Sequence, residues 1–325
     1  MTCTQAQDLP AALAAVALRS APRTVAAVDA ALDAGEVVRS WPMRGTLHLV
    51  AAEDLRWMLT LGPPRVANAA AKRRADLDIT DRDLGRAAEA TVAVLSGGRR
   101  IRRDALMQVW RDAGVRTDGA RAVHLFGKLA VDALICLGPL TGRRQDVVLV
   151  DDWVPATRAP DRDEAVASWV LRYFRSHGPA TVHDFAWWTG LTLADARAGL
   201  SAVSGSLERV SADGTDHWMD PATPGLLAGC RREARGVHLL PGFDEMVLGY
   251  RDRSAVVPPA FAQHVMPGGG GMFLATVVSG GRAVATWRRP TSRAATTPEV
   301  APFTTLTKAV ASAVPRKWAT YPRPA

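Results

Sequence analysis

Between residues 163 and 177, apolar side chains recur at Ala165, Val166, Trp169, Val170 and Tyr173, the spacing of one buried helical face, and Gly178-Pro179 closes the run. Thr181 then stands where an N-cap belongs, ahead of a short helix carrying Phe185, Trp187 and Trp188. Thr189-Gly190 turns the chain, and Thr192 opens a third helix through about Val203. Residues 207–210 and 217–219 flank Asp213-Gly214 as a short hairpin. Three helices followed by a hairpin predict a winged-helix unit, a helix-turn-helix variant whose third helix can enter a DNA major groove.

The same order recurs upstream. Helices are predicted over about Asp81–Leu95, Arg103–Asp112 and residues 118–134, with a hairpin of residues 135–137 and 147–150 around Gly142-Arg143-Arg144. The N-terminal segment gives an incomplete copy. Asp8 and Pro10 open a helix to Arg19, Thr24 opens another ending at Gly35, and Val37-Val38 with residues 46–50 supply a wing. The first helix of that copy is absent, which reads as a mis-assigned start, a truncation or a diverged edge. After Gly236 the pattern turns to strands, with a hairpin predicted from residues 272–278 and 283–287. The expectation is an α+β protein of tandem winged-helix (helix-turn-helix) domains with a C-terminal β-barrel-like module. Its boundaries fall at 1–62, 63–160, 161–232 and 233–325, the first unit being incomplete.

Charge sharpens this picture. The formal net charge is +8, and only Lys72, Lys128, Lys308 and Lys317 of the 40 basic residues are lysine. Residues 65–121 carry 13 Arg and Lys against 8 Asp and Glu, and residues 231–325 carry 13 against 5. Two separated basic regions suit a polyanion that touches several parts of the molecule. Arg99, Arg100, Arg102 and Arg103 form the densest cluster, and Arg143 and Arg144 sit at a hairpin tip, where they would meet backbone phosphate. A solvated arginine-rich face is the competing reading.

Three distant cysteines, Cys3, Cys136 and Cys230, suggest neither a disulfide framework nor a zinc site. No apolar run reaches the roughly 18 residues of a membrane span, so a soluble, cytoplasmic, nucleoid-associated protein is expected. His-Glu-x-x-His, Cys-x-x-Cys, Gly-x-Ser-x-Gly and dinucleotide fingerprints are missing, which weakens metal, serine-hydrolase and nucleotide readings; no cofactor and no metal are expected. Gln5-Ala6-Gln7 sets two carboxamides two residues apart just ahead of a helix. In an extended segment such residues share a face and can bracket one small molecule such as water, although a polar tail reads the same way. Strand alternation puts Arg44, Thr46 and His48 on one face, either as the lining of a site or as a solvated wing. Asp244 near Arg251 and Arg253 is read as an ion pair that holds the C-terminal module to its neighbour. Trp57, Trp110, Trp169, Trp187 and Trp188 lie on apolar stripes and are read as core.

Taken together, several segments resemble the AlkZ-like and YcaQ-like winged-helix DNA glycosylases over nearly the whole chain. They are Gln5-Ala6-Gln7, the run from Trp41 to Val50, His177-Gly178-Pro179-Ala180 with Asp184-Phe185-Ala186-Trp187, Leu239-Leu240-Pro241-Gly242-Phe243-Asp244 with Arg251-Asp252-Arg253, and Gly281-Arg282 with Thr286-Trp287-Arg288. The resemblance implies tandem winged helices around double-stranded DNA carrying alkylated bases, a C-terminal β-barrel, and Gln5 and Gln7 as the catalytic element. In that family a helical stretch precedes the motif, whereas only residues 1–4 do so here. An N-alkylated purine leaves as a neutral base, so such an enzyme mainly places water and stabilises an oxocarbenium-like sugar. Glutamine does not titrate near neutrality, but its carbonyl can orient that water. No lysine adjoins the glutamines, so the expected product is an intact abasic strand from a monofunctional, monomeric enzyme that acts on alkylated or cross-linked purine nucleotides. The alternatives are a non-catalytic winged-helix DNA-binding protein or regulator, and a partner-binding paralogue.

Overall fold

The computed structural model describes residues 1–142, 144–156, 159–269, 271–291 and 296–323. The chain opens with β1 (Cys3–Gln5), then α1 (Leu9–Arg19), α2 (Val25–Asp33), the antiparallel strands β2 (Val37–Met43) and β3 (Thr46–Ala51), and α3 (Ala52–Thr60). Asp8 and Thr24 cap the first two helices as their residue types favour. β1 is too short for local signals to define; it exists because it pairs with β3, with Cys3 opposite Val50 and Gln5 opposite His48.

The second stretch holds α4 (Pro64–Asp76), α5 (Asp81–Leu95), β4 (Ile101–Arg102), α6 (Arg103–Asp112), α7 (Arg121–Val131), β5 (Ile135–Thr141), β6 (Arg144–Leu149) and α8 (Val150–Trp153). Its three expected helices are present, and they close on Trp110, Leu106, Leu125 and Phe126. β2 also pairs with β5, at Arg39 opposite Leu137, so one sheet of order β1-β3-β2-β5-β6-β4 runs through residues 1–62 and 63–160. The tip residue Arg143 lies outside the described residues.

The third stretch follows its predicted pattern closely. α9 (Arg162–His177), α10 (Val182–Thr189) and α11 (Leu193–Val203) each open on a capping box, and β7 (Glu208–Ala212) and β8 (Thr215–Met219) form the hairpin. Gly190 ends α10 in the left-handed conformation. Gly199 lets α11 lie against α9, since a Cβ there would come within 2.8 Å of Val170 and 2.9 Å of Val166. Trp169, Tyr173, Phe174, Phe185 and Trp188 fill this core, which is continuous with Cys3, Met43, Trp57 and Met58 of the first stretch. Arg172 locks α9 to α3 through a bidentate pair with the buried Asp54, at 2.7 and 2.6 Å.

After α12 (Thr223–Ala234), the strands β9 (Val237–Leu240), β10 (Thr276–Ser279), β11 (Arg282–Arg288) and β12 (Glu299–Pro302) enclose the short helices α13 (Glu245–Leu248) and α14 (Ala262–Val265), and α15 (Lys308–Ala319) closes the chain. The C-terminal segment is β-rich as expected: among the described residues these strands form a four-stranded sheet of order β12-β11-β10-β9, with α15 and α1 packed against it through Val310, Val314, Trp318 and Ala14. The hairpin predicted from residue 272 begins only at Thr276. No helix among the described residues is long and apolar enough to cross a membrane.

Candidate active site

The Gln5-Ala6-Gln7 segment bridges the end of β1 and the cap of α1, so it is held from both sides. The Ala6 N–H donates to the Leu47 carbonyl at 2.7 Å. Gln5 is 4 % exposed, while Gln7 is exposed. The two side chains clasp each other: Gln5 Nε2 donates to Gln7 Oε1 at 2.9 Å, and the Gln7 backbone N–H donates to Gln5 Oε1 at 3.3 Å. Carbonyl oxygens retain a second lone pair, so each carboxamide can still accept a hydrogen bond from a small molecule in front of it.

A cavity of about 480 Å³ opens before this clasp. Gln5, Gln7, Arg44 and Thr46 line one side, and Trp187, Leu248, Arg253, Met266, Met272 and Phe273 line the other. Arg44 is not on a strand as expected. It occupies the turn between β2 and β3 at φ 54°, beside Gly45. Its guanidinium lies 5.1 Å from the Trp187 ring centroid, and that of Arg253 lies 4.5 Å from the same centroid and 5.1 Å from that of Phe273. Burial pushes the pKa of Arg44 down despite the carboxylate of Glu245, and burial and then Arg44 do the same for Arg253. Arg44 Nε and Thr46 Oγ1 are buried with no hydrogen-bond partner in the protein.

His48 departs from its expected place. It is fully buried, opposite Gln5 in the β1–β3 pairing, and does not line the cavity. Its Nδ1 contacts the Thr46 carbonyl at 2.9 Å, and burial, assisted by Arg44, lowers its pKa to about 4. Trp187 also differs. Trp57, Trp110, Trp169 and Trp188 are core, but Trp187 is only partly buried and forms cavity wall.

Two residues that sequence reasoning missed fix the motif's backbone. Arg39 donates to the Ala6 carbonyl at 2.8 Å, to the Gln7 carbonyl at 3.3 Å and to Gln145 Oε1 at 3.1 Å. Burial first, and Arg103 second, lower its pKa to about 10, which still leaves it charged at neutral pH. Glu245 accepts the Gln5 N–H at 3.1 Å. The only hint of either in sequence is a charge placed within an apolar strand and within an apolar helix. The Asp244 ion pair is corrected as well: its partner is Arg19 of α1, bidentate at 2.8 and 2.7 Å, and not Arg251 or Arg253. It does join the C-terminal segment to the first stretch.

Of the other candidate arginines, Arg99, Arg100, Arg102, Arg103 and Arg144 do not line this cavity. Arg99 is exposed and donates to the Ala93 and Ser96 carbonyls, and Arg100 lies 3.8 Å from Asp146. Arg102 pairs with Asp104 at 2.6 Å, Arg144 approaches the same carboxylate at 3.5 Å, and Arg103 sits over Phe126 at 4.6 Å.

Comparison with known proteins adds identity to this geometry. The family model described as "DNA glycosylase AlkZ-like" matches residues 1–323. The chain is 26% identical over 302 residues to the interstrand DNA cross-link repair glycosylase of Streptomyces sahachiroi, covering 87% of this chain and 78% of that protein. The solved structure of Streptomyces sahachiroi DNA glycosylase AlkZ matches with a TM-score of 0.74 at 25% identity, over 99% of this chain and 90% of that one.

Proposed function

The chain belongs to the AlkZ-like DNA glycosylase family, and from that premise we propose that it removes alkylated purines, including those of interstrand cross-links, from double-stranded DNA by water attack oriented by Gln5 and Gln7. The carrying observation is the clasped pair of carboxamides at the wall of a cavity that also presents Arg44, Thr46 and Trp187. A flipped nucleotide enters with its base between Trp187, Phe273 and the methionines. Its sugar faces the glutamines. A carboxamide oxygen accepts a hydrogen bond from the attacking water and aims the water's lone pair at the anomeric carbon; the proton shed as the new C–O bond forms passes to solvent, while the departing base, already cationic, leaves as a neutral base without needing an acid. Neither metal nor cofactor is part of this scheme, and the enzyme acts as a monomer that leaves an intact abasic strand.

On this reading the helix–helix–helix–hairpin stretches are winged helices that grip the duplex. Arg99, Arg100, Arg102, Arg103, Arg143 and Arg144 contact phosphates. The test is incubation with a methylated or cross-linked duplex followed by hot alkali. Strand breaks report base release, and Gln5→Ala with Gln7→Ala should abolish them while leaving the gel shift intact. A gel shift with no breaks from the parent protein would instead leave a non-catalytic DNA-binding protein.

A further inference from the structure

Among the described residues no carboxylate lines the cavity, yet the reaction proposed above develops positive charge on the sugar. One acid is bonded to the motif from behind. Glu245 is 2 % exposed and lies 240 residues from Gln5 in the chain. Its Oε1 accepts the Gln5 N–H at 3.1 Å and its Oε2 accepts Trp188 Nε1 at 2.9 Å. His177 Nε2, buried and otherwise without a hydrogen-bond partner, faces Oε2 at 3.7 Å. Space for this arrangement depends on Gly249, where a Cβ would fall 2.5 Å from the Glu245 carbonyl oxygen and 2.6 Å from His177 Cδ2. Asp244, the residue before it, is anchored by Arg19.

Burial opposes ionisation of Glu245, but His177, the Gln5 N–H and Trp188 outweigh it and hold the carboxyl below the usual carboxylate range. It is therefore an anion at neutral pH. Buried carboxylates stabilise a fold poorly compared with an apolar side chain of similar size, so packing alone does not account for a charge at this point.

We propose that Glu245, backed by His177, is a positioning residue that pins the backbone of Gln5 so that its carboxamide meets the cavity, and that its buried charge favours the cationic sugar. This rests on the base-removal reading of the site. The test uses the full chain, a duplex carrying a methylated purine, single-turnover base release, and DNA affinity by anisotropy. Glu245→Gln keeps size and an acceptor but removes the charge. Its rate should fall on the order of 100-fold, with affinity changed by less than about twofold, and Glu245→Asp should recover part of the loss by restoring the charge. A folded Glu245→Gln protein that releases base at the parental rate overturns the proposal. So does a loss that merely follows the unfolded fraction and disappears on cooling. If neither variant folds, Trp188→Phe removes the donor to Oε2 together with part of a buried ring; in the fraction that is folded, measured by near-UV circular dichroism, it should slow release at unchanged affinity, and a parental rate there also overturns the proposal. A parent that releases no base overturns the functional reading and this inference together, whereas an active parent matched by Glu245→Gln removes this inference alone.

Discussion

His48 is fully buried, and its imidazole has a pKa of about 4 in the folded protein against about 6.5 in an unfolded chain. The sign follows from which state holds more protons. Below pH 6.5 the unfolded chain takes up a proton that the folded one refuses, so stability is full above that pH and falls as pH drops toward 4. The single site accounts for roughly 3 kcal/mol across that window. His48→Gln should therefore flatten the acid limb of a stability curve by about that amount, measured as urea unfolding at pH 7, 5.5 and 4.5; an unchanged limb would contradict a neutral buried imidazole. At the same scale Arg39 deserves a test as a support of the motif. Arg39→Met removes three hydrogen bonds, to Ala6, Gln7 and Gln145. Base release should fall about tenfold or more, because carbonyls left free let the glutamines drift.

Between elements, the close approach of α9 and α11 is set by one missing side chain. Gly199→Ala forces Val166 and Val170 aside and should cost about 1–3 kcal/mol of stability, read from the urea midpoint. A neutral or stabilising result would mean that the helices separate freely. Elements of this kind were legible where their signals are local. Thr181 with Asp184 and Thr192 with Asp195 close capping boxes within four residues, and the apolar stripe of α9 needs no partner to be recognised. α4 and α12 bury no residue at all, so no stripe marks them. α15 carries its stripe at Val310, Val314 and Trp318, but Pro315 in its middle reads as a breaker. The site divides in the same way. Gln5 with Gln7, and Arg44 with Thr46, are legible in the sequence because each pair sits two residues apart within one short segment. Glu245 and the Arg19 partner of Asp244 were not, since their contacts span 240 and 225 residues and leave no periodicity.

Across the whole molecule, the Arg19–Asp244 pair ties the first helix to the C-terminal segment. Asp244 is 1 % exposed at its side chain and Arg19 is 32 % exposed. Arg19→Met would strand a buried carboxylate, and about 2–4 kcal/mol of stability should go, somewhat less than for a fully buried pair. Charge acts over the same length scale. If Arg99 and Arg100 meet phosphates, replacing both by alanine should reduce the slope of log affinity against log salt by about 2, with little sequence preference in the loss. An unaltered slope would move the duplex to another face.

The shared sheet sets a mechanical condition on all of this. Since β2 is hydrogen-bonded to β5 and Arg39 ties the Gln7 carbonyl to Gln145 of β6, the two N-terminal helical stretches cannot swing apart like jaws. If the ligand is a duplex, as proposed, it has to conform to a fixed gauge, so the distortion needed to present a damaged nucleotide would fall on the DNA, and a flexible or already ruptured step in it would be the easiest to seat.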